Sequence, residues 1–317
     1  MEEVIILLST YNGDSYLSEQ LDSLLNQSYT NWKCIIRDDK SSDNTLKIIE
    51  RYIDKYPNYF TLLTDSENLG ACKSFLKLFT ASDGSYFMFC DQDDVWKKDK
   101  IFKTMLKMKE LETRFSNEIP LLVHSDLEIV NQSLETIAPS MFTYQKLDSS
   151  SRKLNQLLVQ NNITGCTMMI NSSFKSYITN SNVNEIIMHD WWFGLIGAAF
   201  GQIGFVNEAL ILYRQHGANV VGAKKIDLMG TIKSLKTFIK KEDKYELITH
   251  TFKQANGFYD SYGAKLEVLQ REILISYINF SKFNIVKKIN IMNKYRFKKN
   301  YWVKDIVFHC LMLARKA

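Results

Sequence analysis

Prolines are scarce and cysteine pairs are missing. Three prolines in 317 residues argue against a collagen-like or proline-rich disordered chain. The five cysteines, Cys34, Cys72, Cys90, Cys166 and Cys310, are odd in number and form no CxxC pair. Disulfide frameworks and cysteine zinc sites lose their basis, and a reducing compartment fits best. No uninterrupted apolar run nears the roughly 18 residues of a membrane-spanning helix. The longest candidate, LIGAAFGQIGFV at 195–206, is broken by glycines and Gln202. The opening MEEVIILLS has two glutamates where a secretory signal carries positive charge, so no signal peptide is expected. Glycine-rich phosphate loops are absent too: neither GxGxxG after the first strand nor GxxxxGK followed by Ser or Thr occurs. Dinucleotide-dehydrogenase and P-loop readings therefore lose their main support.

What is present suits a folded protein. Apolar residues make up 45% and charged residues 24% of the chain, and the length fits one large α/β domain with or without an appendage. The net charge of +5 is unevenly placed, with −7 on residues 1–223 and +12 on residues 224–317. Such a split points to an acidic-leaning body and a basic tail that meets something anionic.

The first half alternates two periodicities. VIILLS (4–9), WKCIIRDD (32–39), FTLLTD (60–65) and SYFMFCD (85–91) read as strands. Between them, Tyr16, Leu17, Gln20, Leu21, Leu24 and Leu25, then 41–56, then 69–82, have helical spacing. This repetition predicts a parallel sheet covered on both faces, with ligands at the carboxyl ends of its strands. The clusters STYNG, RDDKSSD and DQDD all follow strands and would gather on that edge. Further on, 97–112 reads as a helix, 120–130 as a bent strand, 162–174 as a loop and strand, 189–201 as a buried helix and 208–216 as a strand. Lys-rich helices are expected at 226–241, 243–256, 262–282 and, with breaks, 284–315.

MFCDQDDVW (88–96) runs an apolar strand straight into three carboxylates, Asp91, Asp93 and Asp94. Negative charge at the mouth of a core is costly without a cation beside it. A solvated turn is the plain alternative. Oxygen ligands of this kind suit Mg²⁺ or Mn²⁺ held together with substrate phosphates.

LLSTYNGDSYLSEQLDSLLNQSYTNWKCIIRDDKSSDNT, ENLGACKSF, FCDQDDVW, HDWW and LYRQHGANVVG together resemble the inverting family 2 glycosyltransferases. The resemblance covers residues 1 to about 222, in order, and its DQDDVW and YRQH forms are most similar to the bacterial rhamnosyltransferase branch of cell-surface polysaccharide synthesis. It implies an α/β GT-A fold, a mostly parallel sheet flanked by helices, over 1–222, with a basic helical region over 223–317. It implies a nucleotide-sugar donor, dTDP-rhamnose first and a UDP-sugar next, and a saccharide or lipid-linked acceptor. By the same resemblance Ser9, Thr10 and Tyr11 hold the base, and Asp39 meets a pyrimidine N3–H with Asp38 a weaker candidate. Asn68, Gly70 and Lys73 approach the nucleotide, Lys73 being either a phosphate contact or a solvated lysine. DQDD matches the Asp-x-Asp metal motif, with Asp93 assigned to the metal and Asp91 and Asp94 to metal or ribose. His216 is a further metal or phosphate contact unless it is a plain strand-end histidine, and Arg214 could pair with the diphosphate.

Asp190 matches the carboxylate that deprotonates the acceptor hydroxyl. His189 stands where the family has Glu, a departure without an assigned role. Trp191 and Trp192 divide between core and acceptor sugar, and Gly165 and Cys166 shape the acceptor side. The implied mechanism is an in-line, inverting displacement with a divalent cation on DQDD.

The basic tail has three readings: a solvated helical face, a nucleic-acid surface, or peripheral attachment to an anionic membrane. The last fits best, on the inner face of the cell membrane, and no recognised nucleic-acid module is present. A homo-oligomer stays open. Two rival functions fit these residues less well. A non-catalytic nucleotide-sugar-binding module is opposed by the joint presence of Asp-x-Asp, Asp39 and Asp190. A nucleotidyltransferase is opposed by STYNGDS, which has no basic residue.

Overall fold

The computed structural model describes residues 1–65, 67–179, 181, 185–217 and 243–314. The expected helix at 226–241 and the ANVVG stretch (218–222) lie outside them. The chain divides into two compact units. Unit one takes the described residues of Met1–Met141, Ile163–Thr179 and Gly201–Ala223; unit two takes those of Phe142–Asn162, Asn180–Phe200 and Lys224–Ala317.

Unit one holds a single sheet. In chain order its strands are β1 Val4–Thr10, β2 Trp32–Asp38, β3 Phe60–Leu62, β4 Tyr86–Cys90, β5 Val95–Trp96, β6 Leu121–Val130, β7 Thr136–Ala138, β8 Met169–Asn171 and β9 Gln202–Arg214. Their spatial order is β3-β2-β1-β4-β8-β6-β9-β5, with β7 beside β6. β1 pairs in parallel with β2 and β4, and β2 with β3. β8 is antiparallel to both β4 and β6, whereas β9 runs parallel to β6 in the longest pairing. The sheet is therefore mixed, with the parallel ladders the longer ones. VIILLST and YFMFC bury nearly every side chain because their strands are covered on both faces.

The helices of this unit are α1 Leu17–Leu25, α2 Thr45–Lys55, α3 Gly70–Ala81, α4 Lys100–Phe115 and the short α7 Lys175–Ile178. Two strands escaped the sequence reading, β5 and β7, since two or three residues are too few to show a period. β9 begins at Gln202 rather than 208, and shifts of register against β6 near Ser125 and Asp126 hide its alternation.

Unit two is helical: most of α5 Met141–Gln145, then α6 Leu154–Leu157, α8 His189–Phe200, α9 Asp243–Tyr262, α10 Val268–Ile278, α11 Ile285–Tyr295 and α12 Trp302–Ala314. The helix expected over 262–282 is cut at its start: α10 begins after Glu267, whose amide donates to Gln270 Oε1 at 3.1 Å. α11 starts at the Asn284 cap, which accepts from Lys287 N at 2.9 Å, and ends at Arg296 with φ 51°. Trp192, Phe258 and Tyr262 form the aromatic heart of this unit, with Trp192 5.3 Å from Phe258.

Candidate active site

The parallel strands β1, β2 and β4 end at Thr10, Asp38 and Cys90, so the loops that follow share one sheet edge. At the end of β2, Asp38 builds the turn. Its Oδ1 accepts from Thr10 Oγ1 (2.8 Å) and Ser41 Oγ (2.6 Å), and its Oδ2 from Ser41 N (2.8 Å). Asp39 sits in a cradle. Oδ1 accepts from Arg37 Nη1 at 2.6 Å and Leu69 N at 2.7 Å, while Oδ2 accepts from Gly70 N at 2.8 Å. Gly70 reaches that position with φ +73°, the left-handed region where a side chain is strained. Asn68 Nδ2 donates to the Asp39 carbonyl at 2.8 Å. Lys73 is exposed on α3, and Ser9 is half-buried within β1.

Arg37, fully buried, holds this cradle from below. Its Nε and Nη2 donate to Asp65 at 2.7 and 2.8 Å, and Nη1 also reaches Ser74 Oγ at 2.6 Å. Burial pushes Asp39 upward, but Arg37 and the two amides outweigh it and hold the carboxyl below its usual range. The sequence reading passed over Arg37. Its signal was a lone cation in an apolar strand, IIRDD, which demands a buried partner.

The DQDD turn is tied to the β1 loop by its one neutral residue. Gln92 accepts from Tyr11 N at 2.8 Å and donates to Tyr11 O at 3.0 Å. A Cβ on Gly13 would lie 2.2 Å from Gln92 Oε1, so a side chain there would push this amide off Tyr11. The Tyr11 ring is left half exposed, a face suited to stacking on a base. Asp93 Oδ2 meets His216 Nε2 at 2.7 Å, and the His216 ring lies 4.9 Å from Tyr16.

Asp94 is completely buried, and burial plus repulsion from Asp93 and Asp91 pushes its carboxyl well up. Its Oδ1 accepts from Arg214 N at 3.2 Å. The Cys166 thiol lies close by, yet no hydrogen bond closes on Oδ2. Ligand atoms of Asp91, Asp94 and Cys166 fall within 4.8 Å of one another. An orphaned buried carboxylate oxygen beside a second carboxylate is what a divalent cation would satisfy, so Asp91 and Asp94 fit one. Beneath them lies Lys100, also unseen in the sequence. Its Nζ sits 3.3 Å over the Trp96 ring without a hydrogen bond, and burial pushes it down to about 7. It occupies the apolar face of α4 with Ile101 and Thr104, so helical spacing alone was its signal.

Two expected roles are corrected by these contacts, and the Trp191–Trp192 pair is divided by them. Arg214 is 1% exposed, and its donors are committed to Asp93 O (2.9 Å), Gln132 O and Glu19 Oε2 (2.5 Å). It also lies 4.6 Å over the Tyr16 ring. Arg214 thus fixes the turn instead of reaching a diphosphate. Cys166, 1% exposed in the tight turn Gly165–Thr167, lines the Asp94 corner and not an acceptor surface. Trp192 is sealed, with Nε1 donating to Ser181 Oγ at 3.0 Å, so no sugar can stack on it.

In unit two, Asp190 stands in the first turn of α8, where negative charge suits the helix N-terminus. Its Oδ1 accepts from Asn161 Nδ2 at 3.1 Å and from Trp191 N at 2.5 Å. Trp191 is 8% exposed and donates through Nε1 to Leu157 O at 2.6 Å. His189 is buried, and burial pushes its pKa down to about 3. The folded state refuses a proton that the unfolded chain takes near 6.5, so stability is lost as pH falls from about 6.5 toward 3. At about pH 5 this amounts to about 2 kcal/mol. A His189→Gln variant is expected to lose that much less stability than wild type between about pH 7.5 and 5, read from urea midpoints.

A family model described as Glycosyl transferase family 2 matches residues 5–178. The dTDP-rhamnosyl transferase RfbG of Shigella flexneri is 30% identical over 227 residues, covering 68% of this chain and 74% of that one. The putative teichuronic acid biosynthesis glycosyltransferase TuaG of Bacillus subtilis is 30% identical over 212 residues, covering 67% and 78%. Among solved structures, S. aureus TarS 1–349 in complex with UDP-GlcNAc superposes with a TM-score of 0.57 at 17% identity, over 93% of this chain and 80% of that one.

Proposed function

Because the chain belongs to glycosyl transferase family 2, we propose that it is an inverting transferase of L-rhamnose from dTDP-rhamnose, with a UDP-sugar the next donor. It is a glycosyltransferase with a GT-A-like fold: a mixed sheet, flanking helices and C-terminal helices. The acceptor is a growing or lipid-linked saccharide of cell-surface polysaccharide, made at the inner face of the membrane. The names of the Shigella and Bacillus relatives support this class of donor and product.

The Asp39 cradle carries the reading. An ionised carboxylate oxygen offers about two acceptor positions. Both on Oδ1 are taken by Arg37 and Leu69, and Gly70 takes one on Oδ2. The remaining acceptor capacity is shared with the Ser74 hydroxyl, which also hydrogen-bonds this carboxyl, and one ring N–H that turns it aside would suit the place. Thymine and uracil supply it as N3–H, whereas cytosine and adenine have no ring N–H there. Guanine, with N1–H, is the larger alternative.

Asp190 takes the proton of the acceptor hydroxyl as that oxygen attacks the anomeric carbon from the side opposite the diphosphate. The bond to the diphosphate oxygen breaks as the new glycosidic bond forms, through an oxocarbenium-like state, and configuration inverts. Asp91 and Asp94, with Asp93 and His216 adjoining, would hold Mn²⁺ or Mg²⁺, which would offset charge on the leaving group. Arg214 and Gln92 keep that turn in place.

Purified protein would be tested against dTDP-rhamnose and UDP-, GDP-, ADP- and CDP-sugars with Mn²⁺ or Mg²⁺. Release of nucleoside diphosphate is expected for the thymidine or uridine donors, with an inverted product by NMR. Preference for an ADP- or CDP-sugar would overturn the Asp39 assignment, and binding without turnover of any donor would make the chain a binding module.

A further inference from the structure

Among the described residues, eight of the fourteen exposed large apolar side chains fall between Val268 and Ile306. They cluster on helix faces. On α11, Ile285, Val286 and Ile289 are 53%, 64% and 44% exposed and sit at positions i, i+1 and i+4, within one face of the helix. On α12, Trp302 and Ile306 are 61% and 53% exposed at i and i+4. The two helices form an antiparallel hairpin: a short link joins Tyr295 to Trp302, and at the far end Lys288 Nζ reaches Leu313 O at 3.4 Å.

Charge decides what covers such faces. Residues 282–314 contain eight Lys or Arg and a single acid, Asp305. Arg296 and Lys298 are exposed in the link between the helices, and Lys287 is exposed on α11. A face made for a second protein copy would place these cations against their own kind. An apolar stripe rimmed by lysines, with an exposed Trp, matches the boundary between anionic headgroups and acyl chains. No helix of the described residues is long and apolar enough to cross a membrane, so contact would be in the plane of the surface.

We propose that the α11–α12 hairpin docks on an anionic bilayer, with Ile285, Val286, Ile289, Trp302 and Ile306 entering the headgroup layer and Arg296 and Lys298 pairing with lipid phosphates. The proposal rests on the membrane-side reading of the function and names the face that carries it. A hairpin so docked brings the enzyme to an acceptor that stays in the membrane.

Full-length protein is sedimented with vesicles of phosphatidylcholine alone and of phosphatidylcholine mixed with phosphatidylglycerol. Two double variants are compared, Val286→Glu with Ile289→Glu and Arg296→Glu with Lys298→Glu, all at exposed positions. Wild type is expected to bind only the anionic vesicles and to be released by salt. Each variant should lose about tenfold in binding. Their hydrolysis of free nucleotide-sugar should be unchanged. Failure of wild type to bind anionic vesicles, or equal binding by the variants, overturns the proposal. So does a vesicle-free dimer that the apolar variants dissolve, since the face then belongs to a second copy. Vesicle binding without turnover of any donor would sink the proposed chemistry while leaving this face standing.

Discussion

Replacing Asp190 by Asn is expected to remove glycosyl transfer almost entirely while donor binding stays near the wild-type value. The substitution is nearly isosteric. The amide oxygen can still accept from Asn161 Nδ2 and Trp191 N, so the start of α8 should keep its shape. What is lost is the ability to take a proton, and general-base catalysis is commonly worth about 10²–10⁴ in rate. The donor contacts proposed above all come from residues of unit one, so its dissociation constant should move little. Turnover measured beside calorimetric donor binding separates the two. A variant that retains more than about a tenth of the rate would show that another group takes the proton.

Arg37→Met is expected to damage both stability and donor recognition. The guanidinium is buried and contacts Asp39, Asp65 and Ser74 together. Breaking a buried pair from one side leaves an uncompensated charge and costs about 3–5 kcal/mol. Asp65 keeps Lys77 at 2.9 Å, so Asp39 suffers most. In wild type the lowered Asp39 and Asp65 contribute stability present above the ordinary carboxylate pKa and lost as pH falls through their depressed values. The variant forfeits that contribution, so its deficit in urea midpoint should hold from neutrality down to about pH 4 and shrink only below it. Adding Asp39→Asn should restore part of the stability but none of the nucleotide affinity. A single variant with wild-type stability at about pH 7 would show that Arg37 is not a required counter-charge.

The parts of this molecule that were legible in the sequence are those set by period and by motif. VIILLS, WKCIIRDD and SYFMFCD announce buried parallel strands because apolar side chains on both faces leave no other placement. Their polar ends then had to meet on one sheet edge. Less visible was where each donor is committed. Arg214 in YRQH looks like a phosphate ligand until its guanidinium is seen on Asp93 O, Gln132 O and Glu19, contacts spanning up to 195 residues of chain. Trp191 and Trp192 are adjacent and chemically alike, and only the packing of Trp192 against Phe258 tells them apart. Lys100 shows the same limit in reverse: a lysine at helical spacing usually reaches water, and this one does not.

Gln92 has a consequence for how the enzyme measures its donor. One side-chain amide grips both the N–H and the C=O of Tyr11, so the loop after β1 and the turn after β4 move as one piece. In the proposed site, base and diphosphate are then gauged by a caliper of fixed opening. A donor with one phosphate fewer, or one more, would set its sugar out of register however well its base were held. Loosening the caliper, as Gln92→Ala would, should blur that discrimination of phosphate number before it weakens the grip on the base.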